Sequence, residues 1–222
     1  MNFVEYNVKD ANLEEVLLAL KSLDSVEAVA LGGSRSTGAS DENSDYDIYV
    51  YCAEIPTAET RENLLGKYCS IAEFGNHYWE SEDNTVMSNG IPVDIIYREV
   101  DRFGRYIDTV IKGGKAFNGY TTAFWHNIKN SKVLFDKTGT FTKFRDMAQI
   151  DFPENLRSAI IKNNRNLLNG KLPSYDRQIK KTQERGDIVS VNHRITAFLE
   201  SYFDVIFALN RQTHPGEKRQ VQ

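Results

Sequence analysis

Apolar positions along the chain switch between helical and strand spacing, and the switches mark out its elements. Leu13, Val16, Leu17 and Leu20 recur every three or four residues behind Asn12-x-x-Glu15, which predicts a surface helix opened by a capping box. An apolar strand, Val26–Leu31, runs into Gly32-Gly33-Ser34, and a polar loop of ten residues (Arg35–Ser44) leads to a second strand, Asp45–Cys52. Pro56-Thr57 opens a second helix to about Lys67, and Cys69–Phe74 is a candidate short strand. Residues 75–89 are polar and aromatic with turn signals and read as a loop or hairpin. Ile91–Tyr97 alternates Ile91, Val93, Ile95 and Tyr97 against Pro92, Asp94 and Ile96, the period of a strand. A helix over Glu99–Lys112 follows, stopped by Gly113-Gly114 as a C-terminal cap, then a short helix Phe124–Asn130 and a last strand at Val133-Leu134-Phe135.

Beyond about residue 150 the spacing is helical throughout. Asn155–Leu168 places Leu156, Ile160 and Leu167 on one side, and Pro173 to about Arg185 is charged and helix-permissive. Asp187 caps a long helix with Ile188, Val191, Ile195, Phe198, Tyr202, Val205 and Leu209 at alternating steps of three and four, widened by Leu199, Phe203 and Ile206. That seam predicts a buried bundle helix. The pattern gives an α+β chain in two parts, residues 1–150 and a helical region 151–222.

Composition narrows the class. The 222 residues are 41% hydrophobic and 26% charged, ordinary for a globular chain with a substantial core. A net charge of −4 and pI near 5.7, with no Lys/Arg run longer than a pair, speak against a nucleic-acid polymerase or a membrane-surface protein. Cys52 and Cys69 read as free thiols in a reducing cytosol. The start, MNFVEYNVKD, has no apolar signal core, and no stretch is long enough to span a bilayer, so the expected location is cytoplasmic.

The chemistry concentrates at Leu31–Tyr51, LGGSRSTGASDENSDYDIYVY. Asp45 and Asp47 sit two residues apart in a strand, about 7 Å along one face, while Tyr46 and Ile48 turn to the core. Two carboxylates at that spacing suit Mg²⁺, which keeps substrate phosphates among its ligands. Gly32-Gly33-Ser34 offers unshielded backbone N–H groups and a hydroxyl to an anion. Asp94, opposite four apolar neighbours, is a third carboxylate that needs a partner or a metal. No G-x-x-x-x-G-K-[ST] or G-x-G-x-x-G is present.

The other polar residues have plainer expectations. His77, Tyr78 and Trp79 read as edge packing, and Glu80, Glu82 and Asp83 as a solvated acidic face. Arg98, Arg102 and Arg105 default to solvation, Asp136 to a cap on the Lys137-Thr138-Gly139 turn, and His193 and Glu200 to solvent or local ion pairs.

Gly33-Ser34, a spacer of about ten residues, Asp45-Tyr46-Asp47 and a later-strand Asp94 together resemble the nucleotidyltransferase superfamily with the DNA polymerase beta-like fold. The layout resembles the antibiotic (aminoglycoside and lincosamide) nucleotidyltransferases. Phe207-Ala208-Leu209-Asn210 followed by His214-Pro215-Gly216-Glu217-Lys218-Arg219 is similar to an uncharacterised bacterial branch whose chains continue further, so a shortened C-terminus is expected, with Lys218 and Arg219 as phosphate contacts at most.

The resemblance implies a mixed sheet flanked by helices, a C-terminal helical bundle, and an acceptor cleft between them. It implies transfer of a nucleoside monophosphate, AMP from ATP, to a hydroxyl of a small-molecule acceptor such as an antibiotic. Asp45, Asp47 and Asp94 would be catalytic and hold two Mg²⁺ ions; Gly32, Gly33, Ser34 and Arg35 would bind the nucleotide. Asp94 or Glu200 would be the general base. Two readings stay open beside it: a non-catalytic, antitoxin-like regulator on the same fold, and a nucleotidyltransferase acting on protein or RNA, the RNA case opposed by the acidic balance.

Overall fold

The computed structural model describes residues 9–38, 44–170, 172–218 and 220–221. The described residues form two compact units. One runs up to Arg105 and includes Ile128–Met147; the other joins Tyr106–Asn127 to the chain from Ala148 onward.

The first unit is built on a six-stranded mixed sheet. Its strands are β1 (Val26–Leu31), β2 (Tyr46–Cys52), β3 (Cys69–Asn76), β4 (Ser81–Met87), β5 (Pro92–Glu99) and β6 (Lys132–Asp136), in the order β3-β4-β5-β2-β1-β6. β2 and β5 pair in parallel, and the other neighbours are antiparallel. The helices α1 (Ala11–Lys21), α2 (Gly33–Thr37), α3 (Ala58–Leu65) and α6 (Thr140–Ala148) belong to this part, and α4 (Val100–Ile111) and α5 (Ala123–Asn130) each run from one unit into the other. The α+β expectation holds.

One face of the sheet buries Val29, Leu31, Ile48, Val50, Val93, Ile95 and Tyr97 with Leu13, Val16, Leu17 and Leu20 of α1. The opposite face packs Tyr51 against Phe103, Phe141 and Phe144, ring centroids 5.3–5.7 Å apart. Strand alternation therefore sends Ile48 and Val50 into the first core, and Asp47, Tyr49 and Tyr51 to the second face.

Several local expectations need correction. The cap of α1 is Asp10, not Asn12: the Asp10 carboxylate accepts the N–H groups of Asn12 and Leu13 at 3.0 and 3.3 Å. The loop expected from Arg35 begins instead as helix α2, closed by Gly38 at φ 76°. Residues 39–43 of that loop lie outside the described residues, as does Arg219. Within 75–89 the hairpin reading holds, with β4 as an interior strand. Its tip carries His77, Tyr78 and Trp79 exposed, Trp79 by 94%, so these rings are not edge packing.

The acidic face is likewise not simply solvated. Asp83 faces the core side and pairs with buried Arg61 at 2.8 Å, while Glu80 pairs at 2.8 Å with Arg98. Arg98 itself is buried, donating also to the Tyr51 hydroxyl and lying 4.2 Å from the Tyr49 ring. Arg102 and Arg105 are exposed as expected. Asp136 reaches past its turn to accept the Thr142 N–H at 2.9 Å, anchoring α6, an element that the sequence reading lacks.

The second unit includes α7 (Glu154–Arg165), a π-helical turn (Asn166–Gly170), α8 (Tyr175–Glu184) and α9 (Ile188–Leu209), capped by Asp187 as expected. Its hub is polar. Asp204, 1% exposed, accepts from Thr121 N and Oγ1 at 3.1 and 2.7 Å and from Asn164 Nδ2 at 2.9 Å. Burial pushes the Asp204 carboxyl up to about 6 against these hydrogen bonds. His214 is packed between the rings of Tyr120 and Phe207, each 4.9 Å away, and burial takes it down to about 4.

Here the helical seam fails as a core. The buried positions of α9 are Ser201, Asp204 and Ala208, whereas Ile188, Ile195, Leu199, Tyr202 and Leu209 are 40–73% exposed. Three-and-four spacing identifies an apolar face; it cannot say that a partner covers it. The face that packs is chosen by hydrogen bonds to Thr121 and Asn164 and by small side chains. Among the described residues no helix is long and apolar enough to cross a membrane.

Candidate active site

The parallel pairing sets the site. Asp47 of β2 stands directly opposite Asp94 of β5, and Asp45 immediately precedes β2. One carboxylate oxygen from each of Asp45, Asp47 and Asp94 lies within 4.8 Å of the others, and all three residues are half-buried. Among the described residues this is the one such acidic, cysteine or histidine group. The three expected carboxylates thus converge although Asp94 comes from a distant strand.

The glycine pair is demanded by these same residues. A Cβ on Gly33 would lie 1.6 Å from Asp47 Oδ2, and Gly33 holds φ +60°, where a side chain is strained. A Cβ on Gly32 would lie 2.1 Å from the Tyr49 ring. The Gly32 N–H is already committed, donating to the Asp47 carbonyl at 2.8 Å. Glycine here lets the end of β1 approach the carboxylate strand, a closer constraint than open access for an anion.

Gly33, Ser34 and Arg35 form the first turn of α2, where N–H groups lack intrahelical acceptors. Ser36 Oγ closes the turn on the Gly33 carbonyl at 2.9 Å. Arg35 Nε donates to the carbonyls of Ser44 and Asp45 at 2.9 and 3.1 Å, and its guanidinium lies 4.0 Å from the Tyr46 ring. Arg35 therefore clamps the start of β2, fixing the backbone that carries Asp45.

The field at this face is negative. Burial raises the Glu82 carboxyl, and Asp94 is the next cause, ahead of Glu80 and Asp83. An all-oxygen set of anionic donors fits a hard divalent cation such as Mg²⁺ and lacks the nitrogen and sulfur donors typical of zinc sites. The sequence reading missed Asn84, which donates to Asp94 Oδ1 at 2.9 Å. Its signal was the alternation of Glu82, Asn84 and Val86 against Asp83, Thr85 and Met87, disguised because two inward positions are polar. Of the helical candidates, His193 is exposed, and Glu200 sits against Gly119 within the second unit, its carboxyl raised by burial and then by Glu217.

Comparison with known proteins places these features in a family context. Residues 13–117 match the Nucleotidyltransferase domain, and residues 122–219 match a domain of unknown function (DUF4037). No curated protein matches the chain. Among solved structures, a nucleotidyltransferase-like protein from Exiguobacterium sibiricum is 11% identical with a TM-score of 0.42, covering 89% of this chain and 56% of that one. The spectinomycin adenyltransferase AAD(9) from Enterococcus faecialis, solved with ATP and spectinomycin, is 15% identical with a TM-score of 0.40, covering 94% and 93%. A CCA-adding enzyme solved with CTP is 15% identical with a TM-score of 0.34, covering 92% and 54%. The chain thus spans little more than half the length of the first and third of these proteins. Residues 13–117, which match the Nucleotidyltransferase domain, hold the glycine pair and all three carboxylates, and the resemblance of the chain to the nucleotidyltransferase superfamily stands.

Proposed function

We propose that the protein transfers a nucleoside monophosphate, AMP from ATP, to a hydroxyl group of a small-molecule acceptor. The observation that supports this reading most is the convergence of Asp45, Asp47 and Asp94 within 4.8 Å beside a glycine turn. Asp45 and Asp47, with Asp94, would hold two Mg²⁺ ions. Bound there, the ions supply neutralisation of the triphosphate and of the attacking and leaving oxygens.

The chain's own groups position the reaction. The N–H groups of Gly33 and Ser34 and the Ser34 hydroxyl receive the β- and γ-phosphates. Gly32 contributes shape, since its N–H serves the Asp47 carbonyl. Arg35 adds positive charge while it holds Asp45 in place. The acceptor oxygen attacks the α-phosphorus, the bond to pyrophosphate breaks, and the hydroxyl proton passes to the Asp94 carboxylate. Such transfer depends mainly on alignment and charge.

The test is calorimetric titration of a non-hydrolysable ATP analogue, with and without Mg²⁺, on the wild type and on an Asp45→Asn/Asp47→Asn double variant. Binding that requires both metal and carboxylates supports the donor site, and acceptor screening with aminoglycosides and lincosamides follows. A folded wild type that binds no analogue overturns the catalytic reading in favour of a regulator on this fold.

A further inference from the structure

The line of side chains across the sheet continues past the carboxylates. In register, Asp47 faces Asp94, Asp94 faces Asn84, and Asn84 faces Glu73, one residue from each of β2, β5, β4 and β3. Asn84 Nδ2 donates to Asp94 Oδ1 at 2.9 Å, and Asn84 Oδ1 accepts from Asn76 Nδ2 at 2.7 Å. Asn76 Nδ2 also donates to Glu73 Oε2 at 3.3 Å.

Both ends of this chain fix its polarity. A carboxylate only accepts, so Glu73 turns the Asn76 amide nitrogen inward, and that nitrogen takes the Asn84 oxygen. The Asn84 NH₂ is then left for Asp94, whose carboxylate also only accepts. Rotating either amide would set like against like.

From this we infer that Asn84 is a positioning residue for the transfer centre, holding Asp94 Oδ1 so that the other oxygen is left for a cation. The inference rests on the reading of Asp94 as a cation ligand. The carboxylate torsion of aspartate is broad, and repulsion from Asp45 and Asp47 favours turning Asp94 away. A neutral amide restrains it without neutralising its charge. An arginine or lysine at position 84 would restrain it too, but would compete with the cation. The contrast lies one residue away: Asp83, on the opposite face of β4, is paired with the Arg61 guanidinium and serves the core. Asn76, by gripping the Asn84 oxygen, keeps the donor from rotating.

The experiment compares Mn²⁺ affinity, read by electron paramagnetic resonance of the free ion with a non-hydrolysable ATP analogue present, in wild type, Asp94→Asn, Asn84→Leu and Asn76→Leu. Metal-free thermal unfolding is followed in parallel. Hydrogen-bond partners of metal-bound groups typically contribute about 10- to 100-fold in affinity. Asn84→Leu is expected to weaken Mn²⁺ by that factor and Asn76→Leu by several-fold, both with metal-free midpoints near wild type. Asn76→Leu also serves where Asn84→Leu fails to fold. Wild-type affinity in both amide variants, with Asp94→Asn weakened, overturns the positioning role and leaves the proposed site intact. Equal affinity in wild type and Asp94→Asn, or none in wild type, overturns the underlying reading and the positioning role with it.

Discussion

Gly33 and Asp47 share a contact that no other residue at position 33 can make: the Asp47 carboxylate occupies the space where a side chain would begin. Gly33→Ala places a methyl 1.6 Å from Asp47 Oδ2 at φ +60°. The expected outcome is a displaced carboxylate, loss of metal-dependent analogue binding, and a stability cost of about 1–3 kcal/mol. Paired calorimetric titration and urea unfolding check it; unchanged metal-dependent binding would show that the contact does not set the site.

Arg98 joins β5 to the hairpin tip through two 2.8 Å bonds to Glu80 while its guanidinium lies against Tyr49. Lysine keeps the charge but not the fork, so Arg98→Lys should cost about 1.5–3 kcal/mol in urea unfolding. Arg98→Met, which leaves Glu80 without its cation, should cost about 3–5 kcal/mol. An Arg98→Lys variant as stable as wild type would mean that the bidentate geometry contributes nothing.

Two buried groups of the helical unit titrate against each other. Asp204 is raised to about 6 from an ordinary 3.8, so its contribution is fully present below about pH 4 and is lost as pH rises through 6. His214 is lowered to about 4 from 6.5, so its contribution is present above about pH 6.5 and is lost as pH falls through 4. Each shift of about two units corresponds to roughly 3 kcal/mol, with opposite sign over nearly the same window. Wild-type stability between pH 4 and 6.5 should therefore vary little from these groups. Asp204→Asn should become more acid-labile there, and His214→Gln should lose stability as pH rises; urea unfolding at pH 4, 5, 6 and 7 reads both slopes, and parallel slopes in all three proteins would refute the opposition.

Neither cysteine should behave as a reactive thiol. Burial pushes Cys52 up to about 12 and raises Cys69, which is partly exposed. Ellman's reagent at pH 8 should modify Cys69 slowly and Cys52 only on unfolding. Rapid reaction of two thiols in the native protein is the contrary result.

The sheet-bearing half was legible because its signals are local and its register simple. Val26–Leu31 is a strand with the predicted bounds, and the alternation around Asp94 placed that residue on the face where Asp47 arrives. Asp187 caps α9 as its position before the apolar spacing predicts. What failed depends on partners far away in sequence. Asp83, Glu80 and Arg98 looked like surface charges because nothing adjacent names Arg61 or one another as partner. Residues 75–89 read as a loop or hairpin without a choice between them because the inward side of β4 is partly polar. That polarity makes sense only beside Arg61, which pairs with Asp83, and the Val93 carbonyl, which accepts from Thr85. The apolar spacing of α9 was real, but the packed face was selected by Asp204, Thr121 and Asn164, a network drawn from three segments.

The pairing of Asp47 with Asp94 is parallel, and so cannot be closed by a short turn; residues 53–91, carrying α3, β3 and β4, separate the two strands in sequence. Contacts separated so far in sequence are slow to form. The helices and the β3–β4 hairpin are closed by hydrogen bonds within short stretches of chain, whereas the alignment of Asp47 with Asp94 is closed only by the β2–β5 pairing. For this protein, normal secondary structure in a purified variant is no certificate that the centre exists.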